Sequence, residues 1–223
     1  MTTLKAESFV NRESGEAPVQ GFLHHAAPAH KDFLVLTHGA GGNCDSALLI
    51  ALADGLAAVG VNTLRCNLPY RQRKPTGPPS PSDAKLDQEG LRRAVTLMRK
   101  EFSGRAFLGG SSYGGRQASM LLADDPKLVD GLFLLSYPLH PPGRAAQLRT
   151  AHFPTLQTPT LFVSGTKDSF GSIEELESAI KLIPATTKLM AIEGAAHGLS
   201  SKSKKNDWPQ RIIAEFVDFF LSK

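Results

Sequence analysis

Residues Phe107 to Gln117 read FLGGSSYGGRQ, which sets two adjacent serines among four glycines. A serine hydroxyl becomes a nucleophile for acyl transfer when a base takes its proton and a sharp turn presents it. The pattern G-x-S-x-G supplies such a turn, and here it fits one register only: Gly110, Ser111, Ser112, Tyr113, Gly114. Centring it on Ser111 would need glycine at position 113, where the chain has tyrosine. Ser112 is therefore the nucleophile candidate, and Ser111 its neighbour. Gly110 and Gly114 give the elbow the small residues it needs where strand and helix approach each other. The helix that follows would aim its N-terminal N–H groups at the place where negative charge develops. Such a turn also serves packing or phosphate binding, so its weight depends on the rest of the chain.

A serine needs a base, and the base needs an acid that fixes its tautomer and stabilises the imidazolium. On an elbow-bearing α/β sheet these follow in the order Ser, Asp or Glu, His, each just after a strand. VSGTKDSFG puts Asp168 after one apolar run, and IEGAAHGLS puts His197 in a glycine-flanked loop after another. Of seven histidines only His197 follows a strand in the last segment before the C-terminal helix. Glu174, Glu175 and Glu177 belong to the helix after Asp168, and Glu193 is too close to His197 in sequence. The remaining reading of Asp168 is a turn cap, and of His197 a surface loop residue. Oxyanion donors are expected from the backbone N–H of Tyr113 and from that of Ala40 in LTHGAGGNCD. His38 precedes the glycine turn and is expected to orient this loop. The glycine run lacks a Walker lysine and G-x-G-x-x-G spacing, which argues against a phosphate cradle.

Elements that could position these residues are legible. Six apolar runs read as strands: 33–37, 61–66, 105–110, 131–137, 160–165 and 188–194. They are continuous rather than alternating, as in parallel strands covered on both faces. Helices are predicted over Asp45 to Val59, Asp83 to Phe102, Gly115 to Asp124, Ser172 to Ile183 and Trp208 to Leu221, with Asp83 able to cap its own. SFVNRESGEAPVQGFLHH reads as an N-terminal hairpin. Two long loops follow strand ends, on the side where open α/β sheets bind ligands. Residues 67–82 carry too much proline for regular structure, and 138–159 holds at most a short helix near Arg144 to Thr150.

With 223 residues, 41% of them hydrophobic, the chain suits one α/β domain over residues 1–223 that buries roughly 70–75% of its unfolded surface. No apolar run of bilayer length occurs and the N-terminus is charged, so a cytoplasmic protein without a membrane partner is expected. Cys44 and Cys66 are too few for a disulfide framework and lie in no zinc pattern; no metal and no cofactor is implied. Whether those two thiols pair is open, as is the oligomeric state. The formal charge of +4 is spread along the chain, which makes nucleic acid a weak alternative partner.

H-G-A-G-G, G-S-S-Y-G, the Asp168 loop and the His197 loop together resemble the α/β-hydrolase superfamily in its own order, over nearly the whole chain. NLPYRQRKPTGPPSP, SYPLHPPGRAAQLRTAHF and PTLFVSGTKDSFGSIEELE look like its small, lidless branch related to dienelactone hydrolase and the testis-expressed hydrolase-like proteins. The resemblance implies an α/β-hydrolase fold of about eight mostly parallel strands flanked by helices, no cap domain, and a triad of Ser112, Asp168 and His197. Dienelactone hydrolase itself uses cysteine where this chain has Ser112, and the branch often has a basic residue at Ser111.

The resulting expectation is a serine esterase or thioesterase acting on a small molecule through an acyl-enzyme. The alternative is a binding or scaffold protein that keeps the fold without the chemistry. About twenty residues follow the strand ending at Tyr137, too few for a helical cap. Tyr70, Arg71 and His140 could wall the cleft, although surface packing is the commoner role for such residues. Arg65, Arg71, Arg73, Lys74, Lys202, Lys204 and Lys205 form either an ordinary solvated face, the commoner case, or a positive rim favouring anionic esters.

Overall fold

The structure is a computed structural model that describes residues 6–12, 18–27, 30–199 and 207–222. The lysines at 202, 204 and 205 lie outside them. In chain order the elements are β1 (Glu7–Asn11), β2 (Val19–His24), β3 (Phe33–Thr37), α1 (Ala47–Ala58), β4 (Asn62–Asn67), α2 (Pro69–Arg73) and α3 (Ala84–Glu101). Then come β5 (Ala106–Ser111), α4 (Tyr113–Asp124), β6 (Gly131–Leu135), β7 (Thr160–Gly165), α5 (Ile173–Ile180), β8 (Thr187–Ile192) and α6 (Trp208–Phe216).

One sheet runs β1-β2-β4-β3-β5-β6-β7-β8. The hairpin β1–β2 and the β2–β4 pair are antiparallel, and every other pair is parallel. Strands β3, β6 and β7 are buried end to end, which is why their sequences are unbroken apolar runs. Alternate side chains feed two cores. Phe33 and Val35 join a cluster with Leu91, Val95, Ala118 and Leu122 of α3 and α4. Leu34 and Leu36 join one with Leu49, Leu52, Ile212 and Phe216 of α1 and α6. The neighbours of β3 are β4 and β5, both parallel to it, so the order in which the chain adds strands reverses there, the place where open α/β sheets form a crevice beyond the carboxyl end.

One loop expectation is corrected, and the other, at most a short helix at 144–150, is met. The proline-rich stretch contains α2, because Pro69 occupies the first helical position, where its missing N–H costs nothing. No helix forms at 144–150; the single 3₁₀ turn of that connection is Phe153–Thr155. Its backbone is instead tied down by Arg149 N–H donating to Leu139 O at 2.8 Å and the Tyr137 hydroxyl donating to Arg149 O at 2.6 Å. Asp83 does not cap α3. Its carboxylate accepts from the Ser80 N–H and hydroxyl and from Arg73. The C-terminal helix is α-helical to Phe216 and widens into a π turn over Val217–Leu221.

Phe216 is fully buried, with ring centroids 5.2 Å from Phe107 and 5.3 Å from Phe133. Phe216→Ala is expected to lower unfolding free energy by about 3–5 kcal/mol in urea titration; a loss below about 1 kcal/mol would show that α6 contributes little to this core.

Candidate active site

At the end of β5 the chain turns sharply into α4, and Ser112 sits on the turn with φ 48° and ψ −116°. A positive φ is strained for a residue with a side chain and persists only where surroundings enforce it. Here the Ser112 N–H donates to Leu135 O at 2.8 Å, and the Arg116 N–H donates to Ser112 O at 2.9 Å. The glycines are required by contact distance. A Cβ on Gly114 would lie 2.4 Å from His38 O, and one on Gly110 would lie 2.7 Å from Gly115 N. Gly115, which the G-x-S-x-G pattern does not include, is as tightly placed: its Cβ would meet Gly110 O at 2.6 Å.

Asp168 follows β7 and His197 follows β8, and the structure brings both to Ser112. His197 Nε2 lies 2.8 Å from Ser112 Oγ, while Nδ1 lies 2.9 and 2.8 Å from the two Asp168 oxygens. The arrangement fits Nδ1–H donating to the carboxylate and Nε2 accepting from the serine hydroxyl. The Asp168 side chain is 1% exposed, and one of its oxygens also accepts the Phe170 N–H. The Phe170 ring stacks on His197 at 4.0 Å. The His197 loop is fixed by the Gly198 N–H donating to Ser136 Oγ at 3.0 Å. Ser136 itself has φ 49° and is fully buried.

The glycine loop after β3 faces this chain of hydrogen bonds. Neither the Ala40 nor the Tyr113 backbone N–H donates to any described residue, and both residues line the cavity that holds Ser112 and His197. His38 orients the loop as its position suggested: Nδ1 donates to Gly39 O at 2.8 Å and Nε2 accepts the Leu68 N–H at 3.1 Å. Burial pushes this imidazole down to about 4, with Arg71 adding to the effect, so it is neutral at pH 7.

Tyr70, Arg71 and His140 are corrections to the expected substrate wall, because all three are buried behind it. The Tyr70 hydroxyl donates to Ala40 O at 2.8 Å. Arg71 donates to Gly42 O, Ala40 O, Lys74 O and Gly77 O at 2.8–3.1 Å, and thereby holds both the glycine loop and the proline-rich loop. His140 contacts Pro141 O and Glu175. Of the other proposed rim residues, Arg65 is buried and bonded to His24, and Arg73 pairs with Asp83 at 2.7 Å. Asp87, which the sequence did not single out, is fully buried and accepts from the Tyr70 N–H and the Tyr113 hydroxyl. It fastens α2 and the elbow to α3.

The cavity measures about 1140 Å³. Its walls are mainly apolar, from Ala47 and Leu48 of α1 to Pro78, Pro79 and Pro81 of the proline-rich loop, with Phe170 and Pro138 opposite. Cys44 and Cys66 are buried free thiols, pushed up by burial to about 11 and about 12. Among the described residues no cluster of three or more His, Cys, Asp or Glu could hold a metal ion. None of their helices is long and apolar enough to cross a membrane.

A family model described as alpha/beta hydrolase domain matches residues 30–222. Among solved structures the chain is similar to dienelactone hydrolase from Anabaena variabilis ATCC 29413, with 19% identity, 97% of each chain covered and a TM-score of 0.75. It is similar to Est1E from Butyrivibrio proteoclasticus at 16% identity, covering 95% of this chain and 98% of that one, with a TM-score of 0.74. XC6422 from Xanthomonas campestris, described as an α/β serine hydrolase without lid, matches at 16% identity over 97% of each chain with a TM-score of 0.71. These likenesses support the shared fold and the absence of a cap.

The His38 environment has a consequence for stability. Its folded pKa of about 4 lies below the ordinary imidazole value of 6.5, so the unfolded chain takes up the proton first as pH falls. The contribution is present above pH 6.5 and is lost between there and about pH 4, amounting to about 2 kcal/mol by pH 5. Urea midpoints of wild type and His38→Gln, compared at pH 7.5 and pH 5, are expected to converge on acidification; a constant gap would refute the assignment.

Proposed function

This chain belongs to the alpha/beta hydrolase family, and we propose that it is a serine hydrolase cleaving carboxylic esters or thioesters through an acyl-enzyme on Ser112. The observation that supports this most is the unbroken chain from Ser112 Oγ through His197 to Asp168, set in a cavity beside two N–H groups with no described partner.

In this reading His197 Nε2 takes the Ser112 proton as Oγ attacks the substrate carbonyl carbon. Negative charge gathers on the former carbonyl oxygen, toward which the Ala40 and Tyr113 N–H groups would donate. The C–O or C–S bond then breaks, and His197 returns its proton to the departing alkoxide or thiolate. Water enters and loses a proton to His197, and its oxygen attacks the acyl carbon. The bond to Ser112 Oγ breaks, the serine regains a proton and the carboxylic acid leaves. Asp168 holds the Nδ1–H tautomer throughout and stabilises the imidazolium. Phe170, stacked on the ring, and Ser136, holding Gly198, limit where that ring can go.

The direct test is intact-mass labelling with a fluorophosphonate, in which Ser112 Oγ displaces fluoride at phosphorus. One adduct per chain is expected on wild type and on Ser111→Ala, and none on Ser112→Ala or His197→Ala. No adduct on folded wild type would overturn the reading in favour of a binding protein. On any ester the wild type turns over, Asp168→Asn is expected to lower kcat by about 10³–10⁴ while leaving the fold intact.

A further inference from the structure

Among the described residues the cavity wall has two cationic side chains, Arg116 and Arg149, and neither comes from the stretches that suggested a positive rim. Arg116 lies in the first turn of α4, its N–H donating to the Ser112 carbonyl at 2.9 Å, and it lines the same cavity as Ser112. Its Nε is buried without a hydrogen-bond partner. Arg149 comes from the connection after β6. Its backbone is clamped by Tyr137 and Leu139, and Nη1 donates to Pro138 O at 3.3 Å.

Neither guanidinium meets a carboxylate among the described residues, and no Asp or Glu lines the cavity. The two are close enough for the charge of Arg116, after burial, to depress the proton affinity of Arg149. Two like charges gathered in a half-buried wall repel each other, and an anion between them removes that cost.

Position gives the pair an orientation relative to the reacting atoms. Arg116 belongs to α4, whose core contacts lie on the α3 and α4 face of the sheet. The apolar lining from Ala47, Leu48 and Leu199 lies on the opposite, α1 and α6, face. Ser112 stands between them at the end of β5.

We propose that the cavity takes an amphiphilic ester or thioester whose carboxylate or phosphate group is held by Arg116 and Arg149, with its apolar group against α1. This specificity rests on the hydrolase reading for its chemistry, but the anion site itself does not require turnover.

Binding to the Ser112→Ala protein separates the two. Titration calorimetry at low salt would use monoethyl adipate, with diethyl adipate as its neutral counterpart and ethyl 6-phosphonooxyhexanoate as the phosphate arm. At least one anionic probe is expected to bind about tenfold or more tightly than the neutral diester. In the Ser112→Ala background, Arg116→Gln and Arg149→Gln are each expected to weaken that binding about tenfold, with partial recovery in Arg116→Lys and Arg149→Lys. Added salt should weaken it as well. Thermal midpoints report whether each variant folds, and a Gln variant that does not fold leaves the charge comparison and the Lys variants to decide. Equal binding of charged and neutral probes, or anion binding unchanged by both Gln substitutions, overturns the proposal. Arginine-dependent anion binding in a protein whose wild type takes no fluorophosphonate would sustain the anion site and overturn the hydrolase reading alone.

Discussion

The backbone of Ser112 is the constraint around which the rest of the site is arranged. A non-glycine residue at positive φ costs about 1–3 kcal/mol, and a lone turn would relax it away. Here β5 enters between β3 and β6, both buried, while α4 leaves immediately over Gly110 and Gly115. Strand and helix come so close that no Cβ fits at Gly110, Gly114 or Gly115. The hydroxyl is thus held at the carboxyl edge of the sheet by packing of the β3–β6 core together with the Ser112 backbone hydrogen bonds to Leu135 and Arg116.

A second layer of polar contacts registers the neighbouring loops to that fixed point. Asp87 accepts from Tyr113, beside the serine, and from the Tyr70 N–H, while Tyr70 and Arg71 donate to the carbonyl of Ala40. The Ala40 N–H shares its trans peptide with the Gly39 carbonyl, and with that carbonyl engaged by His38 Nδ1 and the Gly42 N–H on one side, the N–H is left to the other. Buried polar groups are expensive unless satisfied, so this network fixes one loop conformation more firmly than apolar contacts would. Burial raises the pKa of Asp87, whereas the hydrogen bonds from Tyr70 and Tyr113 favour its charged form. The network is therefore tuned by two opposed effects on one carboxyl group.

Much of this was legible in sequence, because strand, turn and helix signals are local. The elbow register, the strands before Asp168 and His197, and the glycine loop all follow from residues within a few positions of each other. What sequence missed are roles set by distant partners. Tyr70 and Arg71 read as wall residues because they sit in a loop beyond a strand end, but their partners lie about thirty positions earlier in the glycine loop. Ser136 shows no signal at all; its strained φ and its bond to Gly198 arise only when β6 and the His197 loop are adjacent. Arg116 was within reach. It stands at the start of the helix predicted from Gly115, directly after the elbow, which already puts it near the nucleophile candidate.

The electrostatics of the site follow from the same economy of parts. With no cap, the cavity is bounded by stiff segments: the prolines at 78, 79 and 81, and a glycine loop that shares Arg71 with them. Arg71 binds those segments through carbonyl oxygens and pairs with no carboxylate among the described residues, so its charge is uncancelled behind the wall. Together with Arg116 and Arg149 it contributes positive charge around Ser112, alongside the buried carboxylate of Asp87. In the proposed reaction that positive charge would favour a developing oxyanion and oppose an imidazolium on His197. Asp168, nearly inaccessible to solvent and in contact with Nδ1, is a carboxylate placed to offset the opposition. For the proposed reaction the positive wall and the buried aspartate would therefore be complementary, since each offsets the effect of the other on the two charges that would appear together.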